Sequence, residues 1–484
     1  MTATLVNTDR RWSQAFVRNA QPFDHCSLNV IEGSVPTSLR GTLYQVGAAC
    51  FERGHQGGAA QGRQRVAHWF DGDGAVLAIA FTEHDVSGLY QYVETAGRVL
   101  ETKADRYLLP SYAMTAAGPI WQRWGKPLRN AANTSILVLP DRILALWEGG
   151  EPYALSKADL QTLGPDYLGA LKPGATYSAH YKQDLATGEI FNFGLGLGLN
   201  ASLNLYVSDS TGQIQRRGSS PLQGVPLIHD FVLAGDYLVF CIPPVRLELL
   251  PAGLGFKSFS DALAWRPELG TEIVICDRHT LKLVSRKRVD PWFQWHFGNG
   301  YVNEANQLVL DLIRYEDFQT NQYLKEVVSG QIQTSAQGNL WRCWLDPQTA
   351  TLQNSQFLTQ KGAEFPVIAP QFTGQPAPQT YFVTHNDDAE LPAELFGAIA
   401  CHDQQTGQQT EFSFGPHRYP AGLIYAQSSS DSEQHWLLTV VFDGEKLASE
   451  VWIFAGGVIE AGPVCKIALP EVVPFGFHGV WDAA

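Results

Sequence analysis

The chain has no CxxC pair. Its seven cysteines, at positions 26, 50, 241, 276, 343, 401 and 465, are scattered. An odd, unpatterned set excludes a zinc ribbon or disulfide framework and suits free thiols, so a cytoplasmic location is expected. Basic residues are scarce, 34 against 48 acidic for a net charge of −14. That balance repels polyphosphate and provides no basic stripe, which sets nucleic acid aside as a partner. No apolar run approaches the ~20 residues of a membrane-spanning helix. The opening Met1-Thr-Ala-Thr-Leu-Val-Asn-Thr-Asp-Arg-Arg lacks the apolar stretch of a secretory signal. There is no GxSxG elbow, P-loop or HExxH helix either.

Aromatic residues are plentiful: 13 Trp, 25 Phe and 17 Tyr among 484 residues that are 45% apolar and 17% charged. A large buried core is therefore within reach. Short Val-, Ile-, Leu- and Phe-rich runs recur, at Ser135–Leu139, Ile143–Trp147, Tyr237–Ile242, Glu272–Cys276, Leu308–Ile313, Tyr381–Thr384 and Trp436–Phe442. Turn residues bound most of them, which marks strands. Helical patterns are sparse, the best being Lys157–Leu163 and Ser258–Trp265. Asp-x-x-Thr turns recur at Asp184–Thr187, Asp277–Thr280, Asp346–Thr349 and Asp403–Thr406, as in the outer hairpins of propeller blades. The fold class is all-β. A single β-propeller of about six to eight blades, with long loops gathered on one face, leads over a pair of β-sandwiches. Residues 1–30 are expected as a peripheral N-terminal extension of one domain spanning 1–484.

Four histidines then stand out: His180 in Tyr177-Ser-Ala-His, His229 in Pro226-Leu-Ile-His-Asp-Phe, His296 in Trp295-His-Phe-Gly-Asn299, and His478 in Pro474-Phe-Gly-Phe-His-Gly. A buried imidazole needs a hydrogen-bond or metal partner. For any one of them a satisfied core histidine competes with a ligand. Inner strands of a propeller bring distant residues to one axis, however, so four imidazoles can ring one ion, and imidazole suits Zn, Cu, Fe or Ni. Glu148, after Leu144-Ala-Leu-Trp147, and Glu364, opening Glu-Phe-Pro, are carboxylates beside apolar runs that can offset the ion's charge and fix histidine tautomers. Solvated strand ends are the competing reading for both. Gly194-Leu-Gly-Leu-Gly198 leads into a strand pattern, so it is no phosphate cradle. His68, before Asp71-Gly-Asp73-Gly, reads as structural beside a turn.

These pieces resemble the carotenoid cleavage oxygenase family from about Gly33 onward. The markers are His68-Trp-Phe-Asp-Gly-Asp-Gly, Asn133-Thr134, Ala145-Leu-Trp-Glu148-Gly, Ser178-Ala-His180, His229-Asp-Phe, His296-x-x-Asn299, Glu364-Phe-Pro and Pro474-Phe-Gly-Phe-His478-Gly. The resemblance implies a seven-bladed propeller under a loop-and-helix dome, with Fe2+ on His180, His229, His296 and His478. The implied reaction is O2-dependent scission of a conjugated C=C bond into two carbonyls. It further implies that Glu148 orients His229, that Glu364 orients His296, that Thr134 reaches toward the open side of the iron, and that Trp147, Trp295 and Phe365 line a substrate tunnel. Two departures stand against the family pattern. Tyr44-Gln45-Val46-Gly47-Ala48 replaces an Arg-Asn-Gly-Pro motif, and Gly422 stands where a third glutamate is expected behind His478.

No lysine lies between Asn133 and Glu148, whereas stilbene-cleaving relatives tend to carry one near the Asn-Thr motif. An apolar carotenoid or apocarotenoid is therefore expected over a phenylpropanoid. The uncharged stretch 107–122, with Leu108, Leu109, Ile120 and Trp121, is followed by Trp124 and the cations Arg123, Lys126 and Arg129. It reads either as a peripheral membrane anchor or as a loop covering the propeller face. A monomer is expected. The rival readings are a polyene-binding propeller that lost turnover through Gly422, a stilbene-type oxygenase, and a WD- or kelch-type interaction module, whose periodicities are missing.

Overall fold

The computed structural model of the protein describes residues 6–54, 62–197, 201–431 and 434–484. Apolar residues at alternate or successive positions of short strands build antiparallel sheets, arranged as a seven-bladed β-propeller that is 43% strand and 11% helix. Blades 2 to 6 are consecutive four-stranded meanders: 135–165, 182–221, 232–289, 293–357 and 363–413. Every strand expected from the sequence lies in one of the blades.

Blades 1 and 7 close the ring, and they do so twice. The last strand, His478–Ala483, pairs with Gly41–Cys50 and becomes the inner strand of blade 1, with Val46 opposite His478. The early strands Phe23–Ser27 and Asn29–Gly33 then add the outermost strands of blades 1 and 7. Upstream, Trp12 and Phe16 are fully buried, with Phe16 edge-on to Phe51 and Trp69. Residues 11–33 are thus built into the fold, which corrects the expectation of a peripheral extension. Residues 1–5, where the N-terminal stretch begins, lie outside the described residues.

The Asp-x-x-Thr turns are capped as their chemistry dictates: Asp277 Oδ1 accepts the Thr280 N–H at 2.7 Å, and Asp346 and Asp403 do the same for Thr349 and Thr406. These three join the outer strands of blades 4, 5 and 6. Asp184–Thr187 instead joins the two inner strands of blade 3. Two helix expectations fail. Residues 157–161 form a turn, with Leu160 left-handed, and lead into the strand Thr162–Pro165. Ser260–Ala262 is one 3-10 turn before the strand Leu263–Trp265. The Gly-Leu-Gly-Leu run is strand to Gly196, with Gly194 pressed against the Thr176 carbonyl, where a Cβ would not fit; Gly198 lies outside the described residues.

Two helices, α1 (Ala96–Ala104) and α2 (Gln319–Val327), lie in loops that roof the axis. A hydrogen-bonded circuit ties the roof together. Tyr112 Oη donates to Asn321 Oδ1 at 2.8 Å, Asn321 Nδ2 donates to Ser260 Oγ at 2.9 Å, and the Ser260 N–H donates to the Tyr112 carbonyl at 2.7 Å. His68 joins it structurally. Its Nδ1 accepts the Phe70 N–H at 3.0 Å and its Nε2 faces the Asn321 carbonyl at 3.2 Å, while burial pushes the ring down to about 3, so it is neutral.

The Asp-Gly-Asp-Gly segment does more than turn. Buried Asp73 meets Arg53, Arg98 and Arg129, and Arg129 also lies 3.4 Å from Glu101, which accepts the Leu108 and Leu109 N–H groups. Asp71 Oδ1 accepts from Ser111 Oγ at 2.6 Å and from the Ala113 N–H. Arg129, one of the cations that follow the uncharged stretch 107–122, is thus an internal anchor of the 93–131 insertion. Removing one member of such a buried ionic group leaves an uncompensated charge, at a cost of about 3–5 kcal/mol.

Candidate metal centre

Each blade sends a position toward the axis, from an innermost strand or its adjoining loop in every blade but the second, where Glu148 follows the second strand, Ile143–Leu146. In blade order these are His478, Glu148, His180, His229, His296, Glu364 and Gly422. The four imidazoles face one another through Nε2. The separations are 2.9 Å for His180–His229, 3.4 Å for His229–His296 and 3.1 Å for His296–His478. The ligand nitrogens of His180, His229 and His296 all lie within 4.8 Å of one another. The His478 ring stands 4.7 Å from that of His180 and 4.8 Å from that of His296, completing the ring.

Support from behind is uneven. His296 Nδ1 meets Glu364 Oε2 at 2.5 Å, and this buried carboxylate also accepts from Tyr315 Oη at 2.6 Å and from the Phe365 N–H at 2.9 Å. His229 Nδ1 meets Oε1 of Glu148, which is partly exposed to the cavity. Among the described residues, neither His180 nor His478 has a carboxylate at its ring. His180 is held through its backbone N–H, which donates to Ser178 Oγ at 3.0 Å. At Gly422 a Cβ would lie 2.7 Å from the Phe477 carbonyl oxygen and 3.4 Å from the Phe365 ring, so backbone and an aromatic ring occupy the space behind His478. That ring stands 5.3 Å from both His296 and His478. Phe365 reaches this place with a left-handed φ of 51°, a strained conformation of the kind that collects at functional sites.

The electrostatics follow the same division. Burial, and then the neighbouring imidazoles, hold His180 and His478 well below the usual histidine range. Burial also opposes charge on His229, but the Glu148 carboxylate, with Asp230 and Glu364 behind it, outweighs burial and leaves the ring raised. Burial would raise Glu364, yet His296, Tyr315 and the Phe365 N–H together hold it below the ordinary carboxylate value.

In their neutral forms His229 and His296 donate Nδ1–H to these carboxylates, so their unprotonated Nε2 atoms face each other. Bare lone pairs at 3.4 Å repel unless a cation lies between them, so the donor set fits a divalent metal.

Around the ring lies an apolar cavity of about 250 Å³. Trp147, Trp295 and Phe365 all line it, as does Thr134, whose Oγ1 donates to Asn133 Oδ1 at 3.0 Å. Trp295 packs edge-on to His229 at 4.8 Å and donates from Nε1 to Thr320 Oγ1. One mouth of the cavity opens beside exposed Leu128 and Leu197. Next to Leu128, Trp121 and Trp124 are exposed, whereas Leu108, Leu109 and Ile120 are half-buried under the roof, so only part of the expected patch faces solvent. Its other part was not legible in the sequence. Trp124 Nε1 donates to the Leu254 carbonyl at 2.8 Å and thereby brings in exposed Leu249, Leu250, Leu254 and Phe256. No helix among the described residues is long and apolar enough to cross a membrane.

A seven-bladed propeller with four histidines at its axis and a roofed apolar cavity defines the carotenoid oxygenase class. The family model described as retinal pigment epithelial membrane protein matches residues 16–483, and the chain belongs to that family. It is 29% identical over 483 residues to the apocarotenoid-15,15'-oxygenase of Synechocystis sp., covering 97% of this chain and 96% of that one. It is 27% identical to resveratrol cleavage oxygenase 1 of Aspergillus fumigatus, covering 85% of each. The solved structure of cobalt-substituted Synechocystis apocarotenoid oxygenase superposes with a TM-score of 0.86 at 28% identity, covering 98% of both chains.

Proposed function

We propose that the protein is a non-haem Fe2+ dioxygenase that cleaves a conjugated C=C bond of a carotenoid or apocarotenoid with O2, giving two carbonyl products. The observation that carries this reading is the set of four converging Nε2 atoms at the wall of an apolar cavity. His180, His229, His296 and His478 would hold the iron, which when bound supplies the activation of O2 that a closed-shell alkene needs. The chain's own residues do the rest. Glu148 and Glu364 accept the Nδ1 protons of His229 and His296, which keeps each Nε2 free to ligate and supplies two negative charges against the ion. Trp147, Trp295 and Phe365 exclude water and give a polyene an apolar wall, while Thr134 offers a hydroxyl on that wall.

A polyene lives in lipid, and the cavity mouth at Leu128 adjoins the surface of Trp121, Trp124, Leu249, Leu250, Leu254 and Phe256. This surface seats the mouth on a membrane, so substrate passes from lipid to cavity without crossing water. Replacing Trp121 and Leu250 together with Ser is expected to abolish co-sedimentation with liposomes and leave iron content unchanged; undiminished binding would overturn the membrane reading.

Aerobic incubation of the iron-loaded protein with an apocarotenal and labelled O2 tests the reaction. Two labelled aldehyde products are expected. An intact polyene that stays bound would favour a binding propeller, and turnover of resveratrol alone would favour the stilbene-type reading.

A further inference from the structure

The cavity has a second arm. Across the axis from the Leu128 mouth, on the side of blades 5 and 6, it runs past Leu324, Leu391, Pro392, Leu395 and Phe396 to exposed Ser335 and Gln337. Leu391 is half exposed at this lip. Among the described residues, the carboxylates that line the cavity are Glu148 and Glu364, both held at the histidine ring.

His385 interrupts the wall of this arm. The residue is 9% exposed, and its ring packs 4.5 Å from that of Phe396. Nδ1 is sealed in the protein without a regular hydrogen bond, and the Leu395 backbone is the polar group that approaches the ring. Nε2 looks toward Gly362: a Cβ placed there would stand 3.4 Å from Nε2, 3.1 Å from Cδ2 and 3.2 Å from Gln337 Cγ. Glycine at 362 thus lets the imidazole and Gln337 pack over the backbone more closely than a Cβ would allow. No side chain among the described residues hydrogen-bonds to either ring nitrogen. Burial lowers the ring to about 4, against the weaker pull of the Leu395 backbone, so the imidazole is neutral at pH 7.

We propose that this arm is a subsite for a hydroxyl-bearing end of the substrate, which hydrogen-bonds to Nε2 of His385 in the cavity wall. The inference rests on the polyene reading and adds its end group. A neutral, buried imidazole does not suit a carboxylate, which would need a charged partner. A hydroxyl can donate or accept and so satisfies the nitrogen in either tautomer, whereas a carbonyl satisfies only one. A buried polar group left unpaired by the wrong ligand is what makes such sites selective.

The test measures equilibrium binding of two apocarotenals that differ only in a hydroxyl on the terminal ring, to wild type and to His385→Phe and His385→Asn, with iron content and circular dichroism recorded for each protein. Wild type is expected to prefer the hydroxylated compound about tenfold. The preference should vanish in His385→Phe and return in part in His385→Asn, which keeps a neutral hydrogen-bonding group. Gly362→Ala, whose Cβ would press on the ring at 3.1 Å from Cδ2, should weaken it by displacing Nε2. Equal affinities in wild type would overturn the subsite and leave the oxygenase reading standing, whichever variants fold. A retained preference without cleavage would overturn the oxygenase reading and leave the subsite standing. Failure of wild type to bind either compound would overturn both.

Discussion

One side of the histidine ring is braced and the other is not. His229 and His296 each have a carboxylate at Nδ1, and Glu364 is itself gripped by Tyr315 and the Phe365 N–H. His180 and His478 have no carboxylate among the described residues, and behind His478 the chain offers Gly422, the Phe477 carbonyl and the Phe365 ring. The braced pair has its tautomer and ring angle set by hydrogen bonds, whereas the other pair is set by packing and backbone. The difference also fixes charge, because two carboxylates neutralise a divalent ion and a third would leave the centre negative. The blade 7 position therefore acts on the electrostatics of the centre as well as on the orientation of one ligand.

That contrast can be broken first at the ligands. His296→Ala removes a braced nitrogen and is expected to abolish stoichiometric iron binding, measured by metal analysis of anaerobically purified protein; retention of about one iron per chain would mean that the other histidines suffice. Next come the braces. Glu364→Ala is expected to weaken metal affinity about 100-fold and Glu148→Ala about 10-fold, the two ends of the range for lost carboxylate partners. Competition with a chelator measures both, and equal losses would show that burial of the brace does not matter. The smallest effect is expected at Gly422→Ala. The added Cβ meets backbone at 2.7 Å, so the variant should lose about 1–3 kcal/mol of stability from overpacking. Its metal affinity should fall only a few-fold through displacement of Phe477 beside His478. Denaturant unfolding and the same chelator competition read the two, and a stability equal to wild type would show that the Phe477 carbonyl moves freely.

Much of this architecture is legible in the amino-acid sequence. Turn-bounded apolar runs fall in the blades because a strand buried on both faces has little other use for them, and the Asp-x-x-Thr turns carry their own caps. Four histidines in aromatic contexts far apart in sequence meet because propeller inner strands converge. What stays hidden depends on tertiary contact. Trp12 and Phe16 read as a free extension because nothing local shows that Phe51 and Trp69 await them. Tyr315 looks like any strand tyrosine, although its hydroxyl grips Glu364. Leu249, Leu250 and Phe256 lie more than a hundred residues from Trp121, and only the Trp124 hydrogen bond to Leu254 makes them one surface. Lys157–Leu163 misleads for a local reason: its helix-favouring composition is overridden by a hairpin that needs Leu160 in the left-handed region.

The pairing of Val46 with His478 closes the ring with the same strand that carries the last of the four histidines in sequence order. On a ribosome the other three histidines emerge long before it, so the complete ligand set exists only after blade 1 has received its inner strand. An ion held by all four would then clamp blades 1, 3, 4 and 5 together, and a chain clipped before residue 478 would lack both the inner strand of blade 1 and one of the four imidazoles.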